Sequence, residues 1–146
     1  MPGGNDRTLV DAYATGPWNC CLSYTVPDLA YLDYLSGKGL KVIHGLHNHE
    51  LTPEGDAACR AAVLAHRDHP AVIGWYLFDE MPVSRIREMA ARNRLVRESD
   101  PDHPTYAVFD KVASIRDYLP ARTSSAPIRT RSRTSPFRWS RTMCGR

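Results

Sequence analysis

The chain has 146 residues, about one domain's worth, and its 42% hydrophobic content is enough for a packed core. With 24% of residues charged and no apolar run near the roughly 20 residues that a bilayer-spanning helix needs, no membrane partner is expected. The net charge of +3 is divided unevenly: residues 1–120 hold 12 Lys and Arg against 16 Asp and Glu, while residues 121–146 hold seven Arg and no acid.

Residues 1–15 lack the basic start and apolar centre of a secretion signal, so the sequence predicts a poorly ordered N-terminal extension and a cytoplasmic location. The four cysteines, Cys20, Cys21, Cys59 and Cys144, form no C-x-x-C pair. That suits neither a disulfide framework nor a zinc site, and fits a reducing compartment.

Residues 18–25 (WNCCLSYT) are rich in aromatic and small apolar side chains and read as a strand, with Trp18 and Tyr24 as core candidates and Cys20 and Cys21 as small buried hydrophobes. A helix follows. Thr25 with Asp28 resembles a capping box, Pro27 suits the first turn, Leu29, Leu32 and Leu35 recur near helical spacing, and Gly37 and Gly39 stop it. Residues 40–46 (LKVIHGL) form an apolar run that fits a strand buried on both faces. Thr52, Pro53 and Glu54 open a second helix with an Ala-rich body, which His69 and Pro70 end.

The most apolar segment, residues 71–78 (AVIGWYLF), stops abruptly at Asp79 and Glu80 and reads as a central parallel strand, with Trp75 and Tyr76 packed in the core. Residues 84–97 form an amphipathic helix with Ile86, Met89, Ala90 and Val96 inward. Residues 105–109 (TYAVF) are a fourth strand, and residues 112–119 a short helix. Such alternation predicts an α/β fold with a parallel sheet, either open and doubly wound or part of a (β/α)8 barrel. No G-x-G-x-x-G or G-x-x-x-x-G-K fingerprint follows a strand, which favours the barrel.

In parallel α/β folds substrates meet the carboxyl ends of the strands. The polar residues there are His47, Asn48, His49 and Glu50 after the second strand, Asp79 and Glu80 after the third, and Asp110 and Lys111 after the fourth. A carboxylate directly after a buried strand is expected to be partly desolvated, which raises its pKa and suits a general acid.

Residues 66–82 (HRDHPAVIGWYLFDEMP) resemble the fourth-strand signature of the large retaining clan of TIM-barrel glycoside hydrolases, a pattern of the type HPAhhGWYhxDEP that ends in the acid/base glutamate. Residues 39–49 (GLKVIHGLHNH) resemble the strand before it, and residues 99–110 (SDPDHPTYAVFD) the helix end and strand after it. The resemblance covers residues 16–120. It implies a partial barrel of about four β/α units, strands two to five, with a carbohydrate as the substrate of the intact relative and no cofactor. It makes Glu80 the proton donor and Asp79 its neighbour in the sugar subsite, and the strand-end residues His47, His49 and Asp110 are the further substrate-binding candidates. The commoner clan pattern has Asn where this chain has Asp79.

Retaining chemistry needs a second carboxylate about 5–5.5 Å from the first, and in this clan it comes from the seventh strand. The resemblance therefore implies a fragment that is inactive alone and able to self-associate through its exposed sheet edges.

Residues 121–146 contain seven Arg, nine Ser and Thr and no periodic apolar pattern. They read as a disordered tail or as out-of-frame sequence. Read one base over from Pro120, with synonymous codons permitted, the segment becomes an apolar stretch ending Asp-Pro-Tyr-Pro, the form expected of a further barrel strand. Two alternative functions stay open. One is a metal-dependent hydrolase using His47 and His49, since alternate strand residues share a side and can share a cation. The other is a non-enzymatic α/β module whose basic tail binds nucleic acid with Phe137 and Trp139 stacking on bases, the less expected partner.

Overall fold

The structure is a computed structural model that describes residues 6–109 and 116–119. It is an α/β fold in which four strands, β1 (Cys20–Leu22), β2 (Lys41–Gly45), β3 (Val72–Asp79) and β4 (Thr105–Val108), alternate with helices. The strands form one sheet in the order β1-β2-β3-β4, and every neighbouring pair is parallel. A doubly wound sheet reverses its order at a switch point, and no reversal occurs among these four. Asp110 and Lys111, most of the short helix expected over residues 112–119, and the 121–146 tail lie outside the described residues. No helix among the described residues is long and apolar enough to cross a membrane.

Within the expected N-terminal extension, Arg7–Ala14 form helix α1. Asp6 caps it, accepting from Thr8 N at 2.9 Å, and Val10 is buried in the core. The aromatic rim of the next helix holds it: Tyr34 Oη donates to Asp11 at 2.7 Å, and Lys38 pairs with the same carboxylate.

Helix α2 (Leu29–Gly37) is capped by Asp28, whose carboxylate accepts from Tyr31 N at 2.7 Å. Thr25 is not part of a capping box, because the carboxylate of Asp28 is already adjacent to the unsatisfied amides and Pro27 lies before the cap. Helix α3 (Pro53–His66) begins as expected on the Thr52 side chain with Pro53 at its first position. Helix α4 (Ile86–Ser99) is preceded by a single 3-10 turn, Val83–Arg85.

The core lies between the sheet and these helices. Val42, Trp75, Leu77 and Phe78 supply the strand side, and Leu32, Leu35, Val63, Met89 and Val96 the helix side. Two polar contacts are buried with it. Trp75 Nε1 donates to Asp100 at 2.8 Å, and His44 Nε2 meets His66 Nδ1 at 3.0 Å. Burial pushes the Asp100 carboxyl up, but the Trp75 and His103 donors outweigh it and hold the group below the usual carboxylate range.

The apolar reading of the first strand needs correction at its ends. Trp18 is 61% exposed, Tyr24 is also exposed, Cys20 is exposed and Cys21 half-buried. The cause is position: β1 is a three-residue strand at the edge of the sheet, and among the described residues it pairs on one side only, so its flanks have no second strand there to pack on.

Candidate functional site at the strand carboxyl ends

Alternation along β2 and β3 decides which side chains leave the core. Val42 and Trp75 face the helices, so Ile43 and Tyr76 face the other way. On that second face the sheet is tightly drawn together: a Cβ on Gly74 would lie 2.7 Å from the Tyr106 ring. Further toward the carboxyl ends, three rings converge. His47 lies 4.6 Å from Tyr76 and 5.2 Å from Tyr24, and the two tyrosines are 5.8 Å apart, centroid to centroid. Asn48 Nδ2 donates to Tyr24 O and ties the turn after β2 to the end of β1.

Asp79 joins this group through an irregularity in β3. In a regular strand, residues three apart point to opposite faces, which would separate Asp79 from Tyr76. The β3–β4 register, however, runs Tyr76 to Tyr106 and then Phe78 to Ala107, so β3 carries one extra residue. Leu77 and Phe78 both enter the core, and the face changes. The Asp79 carboxylate thus acts on the Tyr76 phenol. Bulges of this kind re-aim side chains beside functional sites.

The cluster is short of hydrogen-bond partners. Tyr76 is 1% exposed, yet its Oη, beside Asp79 and Tyr24, has no partner of standard geometry among the described residues. His47 Nδ1 and His49 Nε2 are likewise without partners there. Burial, reinforced by the Asp79 charge, pushes the Tyr76 phenol far up. Burial also lowers His47, against the opposing pull of Asp79, so the imidazole favours its neutral form. Neutral imidazole and phenol each offer a donor and an acceptor. Such groups recognise hydroxyls.

Glu80 follows at the bend after β3, where its backbone is left-handed (φ 52°) and its N–H donates to Val108 O at 2.9 Å. It is exposed to solvent rather than partly desolvated. Ending the strand on a turn carries the side chain beyond the sheet. Next to it, Met81 O accepts from Tyr118 Oη at 3.0 Å, and Tyr118 stacks on Phe109 at 4.0 Å.

Of the expected site residues, the structure gathers His47 and Asp79 around Tyr76, with Glu80 adjacent in sequence; Asp110 lies outside the described residues. His49 belongs to the same turn but is influenced by Arg92 of α4. No group of three His, Cys, Asp or Glu side chains among the described residues could hold a metal ion, so His47 and His49 have no third ligand there. Tyr76 is buried as the sequence predicts, but on the sheet's second face beside His47, and Tyr24, expected in the core, is exposed next to it. The adjacency of Trp75 and Tyr76 carries the signal, since neighbours in a regular stretch of strand face opposite sides.

Compared with known proteins, the chain matches no protein-family model and no curated protein.

Proposed function

We propose that the chain is part of a glycoside-hydrolase-like β/α barrel, with Glu80 as the proton donor of the intact relative and Tyr24, His47, Tyr76 and Asp79 as the group that binds the sugar. The observation that carries this reading is the meeting of Asp79, Tyr76 and His47 at the carboxyl ends of consecutive parallel strands, in front of the Glu80 bend. The unreversed strand order supports the barrel, because right-handed crossovers that always step in one direction put every helix on one face and curve the sheet around the other. The side chains support the ligand class: the exposed ring of Tyr24, a carboxylate and the neutral imidazole and phenol of His47 and Tyr76 suit a ring bearing several hydroxyls.

In the resembled clan the attacking carboxylate belongs to a later strand, so the four described strands bind and do not turn over. The same reading makes β1 and β4, the edge strands among the described residues, surfaces of self-association. Incubation of the 146-residue chain with aryl glycosides is expected to release no aglycone. Adding a neutral glycoside to ¹⁵N-labelled protein is expected to shift the amides of Tyr24, His47, Tyr76 and Asp79. Hydrolysis by this chain would refute the requirement for further strands. Silence of those amides toward every sugar tried would refute the carbohydrate reading, and shifts at His47 and His49 with zinc alone would favour a metal-dependent hydrolase.

A further inference from the structure

Arg92 is one of the most deeply buried residues in the molecule, 1% exposed on the inner face of α4. Burying a cation costs several kcal/mol unless its charge is paired and its donors are satisfied. Its Nε meets the Asp56 carboxylate of α3, which answers the charge. The remaining donors go elsewhere. Nη1 donates to His49 O at 3.2 Å and lies 3.1 Å from Cys59 Sγ, and Nη2 donates to Glu50 O at 2.5 Å. Two consecutive main-chain carbonyls of the turn after β2 are therefore held by one planar fork, a geometry that an ammonium cannot reproduce.

The opposite wall of the same turn is equally specific. A Cβ on Gly55 would lie 1.9 Å from Glu50 O, so only glycine lets that carbonyl approach α3 and meet the guanidinium. Arg85, from the 3-10 turn before α4, adds a third grip by donating to Leu51 O at 3.0 Å. Between the apolar anchors Leu46 and Leu51, the carbonyls of the turn that carries His47 and His49 are thus fastened to α4 and the 3-10 turn before it by arginines.

We infer that Arg92 is a positioning residue for the site: its fork on the carbonyls of His49 and Glu50 fixes the turn 47–50 and with it the place of the His47 and His49 imidazoles. The inference rests on the reading that this turn lines the binding site, but it concerns the turn itself, so it can be tested without any sugar. His49 is a built-in reporter. Burial first, and the Arg92 charge second, hold its imidazole below the usual value. Among the described residues, the charged groups that act on this turn's imidazoles are Asp79 and His49 on His47 and Arg92 on His49, and His49 in turn acts on the buried His44.

The test compares the 146-residue chain with Arg92→Lys and with the double variant Arg92→Met/Asp56→Asn, in which no buried charge is left alone. Hydrogen exchange is read across the chain, and histidine titrations are followed by NMR. Arg92→Lys is expected to lower amide protection by about tenfold at and around residues 47–50, the equivalent of one to two lost hydrogen bonds, leave α1 and α2 unchanged, and keep the low His49 titration because the charge remains. The double variant is expected to show the same local loss and a His49 titration moved upward. Protection of the turn equal to wild type, or a loss spread evenly over sheet and helices with His49 unmoved, would overturn the inference in favour of a packing role. Should the double variant fail to fold, Arg92→Lys decides by the protection pattern alone: a loss confined to residues 47–50 and their surroundings supports the inference, and wild-type protection or an evenly spread loss overturns it. Failure of sugar binding with these results intact would remove the carbohydrate reading and leave the positioning role standing.

Discussion

Glu80 is the only non-glycine residue among those described with a positive φ, and a side chain in that region costs roughly 1–2 kcal/mol relative to glycine. Glu80→Gly is therefore expected to stabilise the chain by about 1 kcal/mol in urea unfolding, while Glu80→Ala is not. A carboxylate kept where glycine would be more stable is consistent with a functional role. His44 gives a second prediction at this scale. It is fully buried against His66 and Trp75, and burial together with the His66 charge lowers its imidazole from 6.5 to about 4. The unfolded chain binds the proton first, so stability is complete above pH 6.5 and is lost as pH falls from there through 4. The full loss is about 3 kcal/mol by the usual conversion. Denaturant midpoints measured at pH 7 and pH 4.5 should show the fall, and His44→Gln should lessen it, leaving the smaller part due to His47, His49 and His66, which burial also lowers. No local pattern marks the pair, because His44 and His66 are 22 positions apart and meet only when α3 docks on β2.

Among the elements, starts and stops were legible where one side chain decides them, as at Thr52 and Pro53, and less so where two polar residues compete, as at Thr25 and Asp28. Thr52→Ala should cost about 1 kcal/mol of stability through loss of the bond from Gly55 N. Gly55→Ala should destabilise by more, about 1–3 kcal/mol, despite alanine's higher helix propensity, because the added carbon meets a backbone carbonyl that cannot retreat. Both are read from chemical unfolding, and a Gly55→Ala variant as stable as wild type would refute the tight approach of Glu50 to α3. In α4 the inward apolar positions Met89 and Val96 were visible, but Arg92 and Asn93 share their face and are buried too. Hydropathy alone treats such residues as solvent-facing. A polar pair in register with an apolar stripe is the mark that was present and went unread.

For the molecule as a whole, the alternation of buried strands and helices was written in the periodicity, and the sheet follows it in order. The contents of the sheet's second face were less legible, since they depend on register between strands far apart in sequence. The flanks of the sheet carry no charge at 18–24 or 104–109, and Leu22 and Val108 are 39% and 42% exposed on its two edges. Uncharged open edges attract further strands. Sedimentation of the 146-residue chain is expected to show association that grows with concentration, and Leu22→Lys with Val108→Lys to reduce it; a wild-type monomer across the accessible range would refute the edge proposal. The added residue in β3 has a separate bearing on how such a protein can change. A point mutation can strip Asp79 of its acid but cannot turn it to the opposite side, whereas loss of a single codon near Leu77 would do so without altering any of the side chains gathered around Tyr76. Inheritance of this site therefore depends on preserving a count, and its most economical route to extinction is an in-frame deletion that leaves every recognisable side chain in place.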